Sequence, residues 1–323
     1  MGNILLYLDK LNPNMEKILL DLAGDKYDIR FLEPTLGKKG ELKDADILID
    51  TTFSCTKEII DNCPNLKLIQ RTGVGVDMID MKYATKRGIP VSVCKGFNSV
   101  SVAELVISQI LALYRHLVDI APLTKKGEWH TWTYRHESYE ISGKTIGVLG
   151  SGAIGKEVMK RLKAFDANIK YYDLFRMSEE KEKELGAEFV DLDTLYKESD
   201  IITIHLPLLP ETKGMVGKEQ FKIMKKNAIL INCARDFIVD QDALVEALKT
   251  GEIWGAAADI FAIDPINEGI RSIKNSNLIL TPHIGAATYD NYYRVYKFTL
   301  ENATKVFNGK AANGIININA ELL

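Results

Sequence analysis

Cysteine is scarce in this chain. Four residues in 323, Cys55, Cys63, Cys94 and Cys233, lie far apart, with no C-x-x-C and no metal-ligand cluster. That pattern excludes a disulfide-stapled scaffold and a zinc site, so no metal is expected. It points to a reducing, cytoplasmic setting with thiols buried as small apolar groups. No run of about 18 apolar residues is present, so no membrane-spanning helix is expected. The chain enters a strand-like run at Asn3–Leu8 without the charged and apolar regions of a signal peptide. Charge of one sign is lacking too. Lys and Arg number 41 against 44 Asp and Glu, a net charge of −3 with the signs well mixed. Neither nucleic acid nor a membrane surface is therefore an expected partner.

What the chain does contain is alternation. Short apolar runs at Ile4–Leu8, Ile29–Leu32, Ile47–Asp50, Leu66–Arg71 and Val91–Val93 are separated by stretches with helical periodicity, such as Met15, Ile18, Leu19 and Leu22. The pattern resumes at Ile146–Leu149, Ile169–Tyr172, Ile201–His205, Ala228–Asn232, Gly255–Ile260 and Leu278–Thr281. Strands alternating with helices mean βαβ units and parallel sheets. The length, 323 residues, suits two domains. An apolar helix is expected from Ser101 to about Leu117, and another over Tyr289–Phe307. The segment Gly127–Glu140, rich in Trp129, His130, Trp132 and Tyr134, reads as a loop that offers a subunit interface or an active-site wall. The tail Gly314–Ile318 is expected to return to the first domain.

The rest is organised around Gly147–Gly155, which holds Gly150-x-Gly152-x-x-Gly155. An apolar, β-branched strand precedes it. Ile154, Val158, Leu162 and Phe165 follow at helical spacing. Strand, glycine turn and helix are the context of a dinucleotide fingerprint. The first glycine permits the turn, the second lets the backbone approach a pyrophosphate, and the third lets helix and strand pack closely. The helix N-terminus offers free N–H groups to the anion. A second apolar strand ends at Asp173, 18 residues past Gly155, near the spacing of a carboxylate that grips a ribose hydroxyl. Asp173 favours NAD over NADP because it would repel a 2′-phosphate, although Arg176 lies close by. A second glycine turn, Gly73-Val74-Gly75, lacks the third glycine. It is either a plain strand-to-helix turn or a loop whose N–H groups hold a small carboxylate.

Ligands of open α/β sheets bind at the carboxyl ends of strands. The polar residues there are His205, Arg235, Asp259 and His283, with Asp264 a few residues on. Each alone has an ordinary structural explanation. Together, behind a dinucleotide fingerprint, they propose a cation for an anionic substrate, a histidine to pass a proton and a carboxylate to tune it.

The ordered motifs Arg71-Thr72-Gly73-Val74-Gly75-Val76-Asp77, Asn98 with Ser101-Val102-Ala103-Glu104, Ser142-Gly143-Lys144-Thr145 running into Gly150–Gly155, His205-Leu206-Pro207 with Glu211-Thr212, Ile231-Asn232-Cys233-Ala234-Arg235, Ala258-Asp259-Ile260-Phe261 and Thr281-Pro282-His283-Ile284-Gly285 span essentially the whole chain. It resembles the D-isomer-specific 2-hydroxyacid dehydrogenases, among them phosphoglycerate dehydrogenases and hydroxypyruvate reductases. The resemblance implies two doubly wound parallel-sheet domains. A Rossmann NAD-binding domain (101–286) would be inserted into a flavodoxin-like substrate domain (1–100 and 287–323), and the chain would form a homodimer. It implies that Arg235 binds the carboxylate and polarises the carbonyl of a small 2-oxo acid, with His283 as general acid and base. Val74, Gly75 and Asn98 would hold the carboxylate. Gly150, Gly152, Ala153, Ile154, Gly155, Asp173, Cys233, Ala234 and Asp259 would contact NAD, with His205, Pro207 and Thr212 lining its site.

Two positions depart from the family pattern. The partner of the histidine is usually Glu before a proline, and here it is Asp264, before Pro265, with Glu268 a surface acid nearby. The residue after Arg235 is usually Gly, and here it is Asp236. If that turn needs a left-handed backbone, Asp tolerates it better than most residues. Its charge would then sit beside the substrate-binding cation. These departures keep a second function open, a non-enzymatic NAD-responsive binding protein of the corepressor kind, although retention of Arg235 and His283 argues for catalysis. A methyltransferase fits poorly with Pro282-His283. Substrate loops carry only Lys95 and Arg71 as nearby cations, with Val100 just before Ser101. That favours an unphosphorylated acid such as pyruvate, glyoxylate or hydroxypyruvate.

Overall fold

The computed structural model describes residues 3–260 and 277–318. The chain divides into two compact units, Met1–Asn98 with Thr288–Leu323, and Ser99–Ala287. Each is built on its own parallel sheet.

In the first unit the strands are β1 (Ile4–Tyr7), β2 (Asp28–Phe31), β3 (Lys38–Lys39), β4 (Ile47–Asp50), β5 (Leu68–Arg71) and β6 (Val91–Ser92), in spatial order β3-β2-β1-β4-β5-β6. Without the two-residue edge strand β3 this is the 2-1-3-4-5 order of flavodoxin-like sheets. Residues of β4 are buried on both faces, so it reads as an unbroken apolar run rather than an alternation. The helix Tyr289–Phe307 closes this unit against β1 and the helix Pro13–Ala23, with Tyr296 packed edge-on to Tyr7.

One polar node holds the tail in place. Asn302 is fully buried, and its side-chain amide donates to Gln70 Oε1 (2.8 Å), Ser92 Oγ (3.1 Å) and the Asn313 carbonyl (3.1 Å). Its Oδ1 accepts the Asn313 N–H at 2.8 Å. The tail then pairs antiparallel with β6 through Ser92 and Ile315. Asn302→Ala orphans several buried groups at once, each worth about 1–3 kcal/mol. Denaturant unfolding should show a loss of at least ~2 kcal/mol on that basis. A loss inside the roughly 0.5 kcal/mol range of ordinary surface substitutions would mean that the node is dispensable.

The second unit contains β7 (Thr145–Leu149), β8 (Asn168–Tyr172), β9 (Ala187–Phe189), β10 (Ile201–Ile204), β11 (Ile229–Asn232), β12 (Gly255–Ala258) and β13 (Leu278–Leu280). Their order, β13-β12-β11-β10-β7-β8-β9, is the Rossmann 3-2-1-4-5-6 pattern with one strand added, and it is parallel throughout. The apolar helix begins at Ser99 and ends at Tyr114. It lies on β11, β12 and β13 beside the helix Ala153–Lys163, and the small Gly-Ala-Ala-Ala side chains of β12 let it come close. His116, at φ 50°, then turns the chain by 68° into a second helix, Leu117–Lys125, which the periodicity did not separate from the first. No single helix among the described residues is long and apolar enough to cross a membrane. All four cysteines are free and buried.

Candidate active site

The sheet of the second unit brings the candidate residues together by a simple rule. Gly150 follows β7, Asp173 follows β8, His205 follows β10, Cys233–Arg235 follow β11, Asp259 follows β12 and His283 closes the turn after β13. All therefore lie along one edge of a parallel sheet. The strand order reverses between β7 and β10, where ligands bind in this topology.

The glycine turn shows why each glycine is needed. Gly150 has φ +101°, and a Cβ there would stand 2.7 Å from the His205 carbonyl oxygen. A Cβ on Gly155 would stand 2.0 Å from the Gly150 oxygen, so the helix can seat against the strand only without one. Gly152 differs. Its φ of −68° suits any residue, and a Cβ would meet nothing within 4 Å. Neither the turn nor the packing explains a glycine at 152, but an approaching ligand does. Gly152 is also the N-cap of the helix Ala153–Lys163, with no side chain capping the first N–H groups and no acid in the first turn. An anion there would meet an open, electropositive helix end. These residues fit a dinucleotide pyrophosphate.

Asp173 braces this turn from β8. Its Oδ2 accepts the Ser151 N–H at 2.6 Å and the Ser151 hydroxyl at 3.0 Å, and its Oδ1 accepts the Phe175 N–H at 3.3 Å. Ser151 was not singled out in the sequence, since a serine between two glycines carries no signal of its own.

Across the switch point, His205 Nε2 lies 2.9 Å from Thr203 Oγ1, and burial lowers the imidazole pKa to about 3. His205 is therefore a neutral wall and not a proton carrier. Thr212 acts through the loop. Its hydroxyl donates to the Pro207 carbonyl at 2.7 Å and accepts the Leu209 N–H at 2.8 Å, which fixes the backbone over 207–212.

Arg235 is half-buried and extended, with Nη1 donating to the Ala234 carbonyl at 2.7 Å. Asn232 shapes the turn before it, accepting the Ala234 N–H and donating to the Arg235 carbonyl, each at 3.0 Å. Asp236 is not left-handed. It opens a short 3-10 turn, Asp236–Ile238, and its buried carboxylate takes a hydrogen bond from Gln241 at 2.5 Å. The expected need for a left-handed residue after Arg235 is thus absent, because the chain enters a right-handed turn there.

His283 is exposed and has φ 55°, one of three positive-φ residues other than glycine among those described. Such a backbone costs on the order of 1–3 kcal/mol and persists only when its surroundings impose it. Here the His283 N–H donates to both the Asp259 carbonyl (2.8 Å) and the Thr281 carbonyl (3.0 Å). The Asp259 carboxylate takes the Ile284 and Gly285 N–H groups at 2.9 and 2.7 Å and the Thr281 hydroxyl at 2.5 Å. Asp259, expected at the cofactor, spends its carboxylate on holding the histidine turn. Behind it, Gln109 donates to Thr281 Oγ1 at 3.2 Å and accepts from the Cys233 thiol at 3.2 Å. Burial pushes that thiol's pKa up, so it stays protonated. Gln109 escaped the sequence reading, and its signal was a lone amide within an apolar helix. Asp264, Pro265 and Glu268 lie outside the described residues.

In the first unit, Val74 is exposed and Gly75 half-buried in the loop after β5, which the Cys94 N–H ties through the Gly73 carbonyl at 3.0 Å. Neither the Val74 nor the Gly75 N–H donates to a protein acceptor among the described residues. Asn98 is half-buried at the end of this segment of the unit. Arg71 is committed elsewhere, its Nη1 holding both oxygens of the fully buried Asp50 at 2.9 and 2.8 Å. Burial outweighs this arginine and pushes the Asp50 carboxyl up to about 6.

Comparison with known proteins agrees with this geometry. Residues 107–285 match the NAD-binding domain of the D-isomer specific 2-hydroxyacid dehydrogenases. A D-3-phosphoglycerate dehydrogenase of Methanocaldococcus jannaschii is 38% identical over 316 residues, 97% of this chain but 59% of that protein, so the chain spans little more than half of that relative. A glyoxylate reductase of Thermococcus litoralis is 39% identical over 284 residues, 86% of this chain and 85% of that one. The solved D-lactate dehydrogenase of Aquifex aeolicus, complexed with NAD and lactic acid, superposes with a TM-score of 0.80 at 27% identity, covering 97% and 99% of the two chains. The chain belongs to the D-isomer-specific 2-hydroxyacid dehydrogenase family.

Proposed function

We propose that this protein is an NAD-dependent oxidoreductase that interconverts a small 2-oxo acid and the corresponding D-2-hydroxy acid. The observation that carries the proposal is the glycine turn, closed by Gly150 and Gly155 but open at Gly152, at the switch point of a Rossmann sheet. Gly150–Gly155 and the N–H groups of Ala153 and Ile154 would hold the pyrophosphate, and Asp173 the adenosine ribose. Cys233, Ala234, His205, Pro207 and Thr212 would line the remainder. When bound, the cofactor supplies or accepts the hydride.

The chain's own residues do the rest. Arg235 binds the substrate carboxylate and polarises its carbonyl, and the N–H groups of Val74 and Gly75, with Asn98, add donors to the same carboxylate. His283 protonates the carbonyl oxygen in reduction and takes that proton back in oxidation, so the added hydride and proton balance as one alcohol. Asp264 is the proposed partner of His283. On this reading the unit Ser99–Ala287 is the cofactor domain and the other unit the substrate domain.

Glyoxylate, hydroxypyruvate or pyruvate suits the site better than a phosphorylated acid, because Asp50 already engages Arg71. We place the protein in the cytoplasm as a homodimer. Trp129 and Trp132, at 83% and 74% exposure, are large apolar groups that a second copy would cover.

The direct test is Gly152→Ala. The methyl meets open space in the protein, so stability should fall by no more than the loss of a glycine N-cap, about 1 kcal/mol. A loss of NADH affinity by the still-folded variant must then fall on the ligand. Intruding on a packed contact costs about 1–3 kcal/mol, or roughly 5- to 150-fold in NADH affinity. Unchanged NADH titration would remove the pyrophosphate from this turn.

A further inference from the structure

Arg176 follows the ribose-binding Asp173 by three residues, in the loop that leads from β8. An arginine so placed is the group that accommodates a 2′-phosphate in NADP enzymes. In this protein the Nε–Nη2 side of its fork is already filled. Arg176 Nε donates to Glu182 Oε1 and Nη2 to Glu182 Oε2, both at 2.9 Å. This is the parallel, two-pronged geometry that would otherwise take a phosphate.

Glu182 is held for that task. It is 9% exposed on the helix Glu179–Leu185, and its Oε1 also accepts the Tyr171 hydroxyl at 2.6 Å. Tyr171 is fully buried and accepts the Met177 N–H at 2.9 Å, so strand, loop and helix all hold the carboxylate in place. The Arg176 guanidinium lies over the Phe189 ring, 5.6 Å from its centre, which further restricts its swing.

We infer that Glu182 is a cofactor-specificity residue, which sequesters Arg176 and so denies NADP(H) its phosphate partner. The inference rests on the NAD-binding reading above. It adds to the repulsion expected from Asp173 a second device, removal of the compensating cation.

The test is titration of NADH and NADPH by fluorescence, in the wild-type background and in Asp173→Ser, where the repulsion is gone. Glu182→Gln keeps the shape but drops the charge. It should hold NADH affinity within about threefold and improve NADPH affinity relative to NADH by about tenfold or more, the usual worth of a hydrogen bond to a charged group. Adding Arg176→Ala should cancel that gain. Arg176→Ala alone in Asp173→Ser checks the same point without touching Glu182, and NADPH affinity should be unmoved. An unchanged ratio in Glu182→Gln in both backgrounds, or a gain that survives Arg176→Ala, overturns the inference. So does a tenfold NADPH loss in Arg176→Ala/Asp173→Ser, which would show that the guanidinium already reaches the phosphate. Absence of NADH binding by the wild type would instead overturn the cofactor reading, and this inference with it.

Discussion

His283→Ala should lower kcat/KM for reduction of a 2-oxo acid by about 10²–10⁴, the usual worth of a positioned acid or base. NADH affinity should be unchanged. The expectation rests on where the histidine sits and on how firmly its turn is held. Its backbone occupies a left-handed conformation fixed by two carbonyls and by the Asp259 carboxylate. A backbone anchored this way fixes where the His283 side chain leaves the turn. Reduction requires the protonated imidazole, so wild-type kcat/KM should fall as pH rises through its titration. The residual rate of His283→Ala should lack that limb. A variant that keeps the wild-type rate and pH profile would place the proton donor elsewhere.

Arg235→Leu should cost about 10²–10³ in kcat, as for loss of a donor aimed at a developing oxyanion, and should raise KM as well. Arg235→Lys is the sharper variant, because it retains the charge and loses the planar fork that meets a carboxylate on two atoms. Both constants should worsen together in Arg235→Lys. A rise in KM with kcat unchanged would restrict Arg235 to binding and leave the carbonyl to another group. Asp236 should tolerate replacement better. Its carboxylate turns inward to Gln241, so Asp236→Asn should leave KM within about twofold, less than the tenfold that 1.4 kcal/mol would give.

Much of this organisation was legible in the sequence because it is periodic. The parallel strands are buried on both faces and so appear as unbroken apolar runs, as at Ile201–Ile204 and Ile229–Asn232. The helix Tyr289–Phe307 carries its stripe from end to end. The strands that escaped are those in which pairing outranks pattern. The edge strand Lys38–Lys39 is two exposed lysines, and Ala187–Phe189 is three residues at an edge of the seven-stranded sheet. Neither is long enough to show a period.

The site divides in the same way. Residues that follow a strand end could be found by position, as His205, Arg235, Asp259 and His283 were. Roles set by tertiary contact could not. Nothing in the sequence shows that Asp259 turns its carboxylate to the histidine loop, that Gln109 bridges Cys233 and Thr281, or that Glu182 captures Arg176. Each of those depends on a partner distant in the chain or on which way a side chain faces.

The proposal of an NAD-dependent 2-oxo acid reductase is tested most directly by following NADH consumption with glyoxylate, hydroxypyruvate and pyruvate, wild type beside His283→Ala. The expected result is consumption that requires the 2-oxo acid, yields one D-2-hydroxy acid per NADH, and collapses in His283→Ala while NADH still binds. Tight NADH binding with no turnover of any 2-oxo acid would contradict it, and would leave the fold as a cofactor-responsive binding protein.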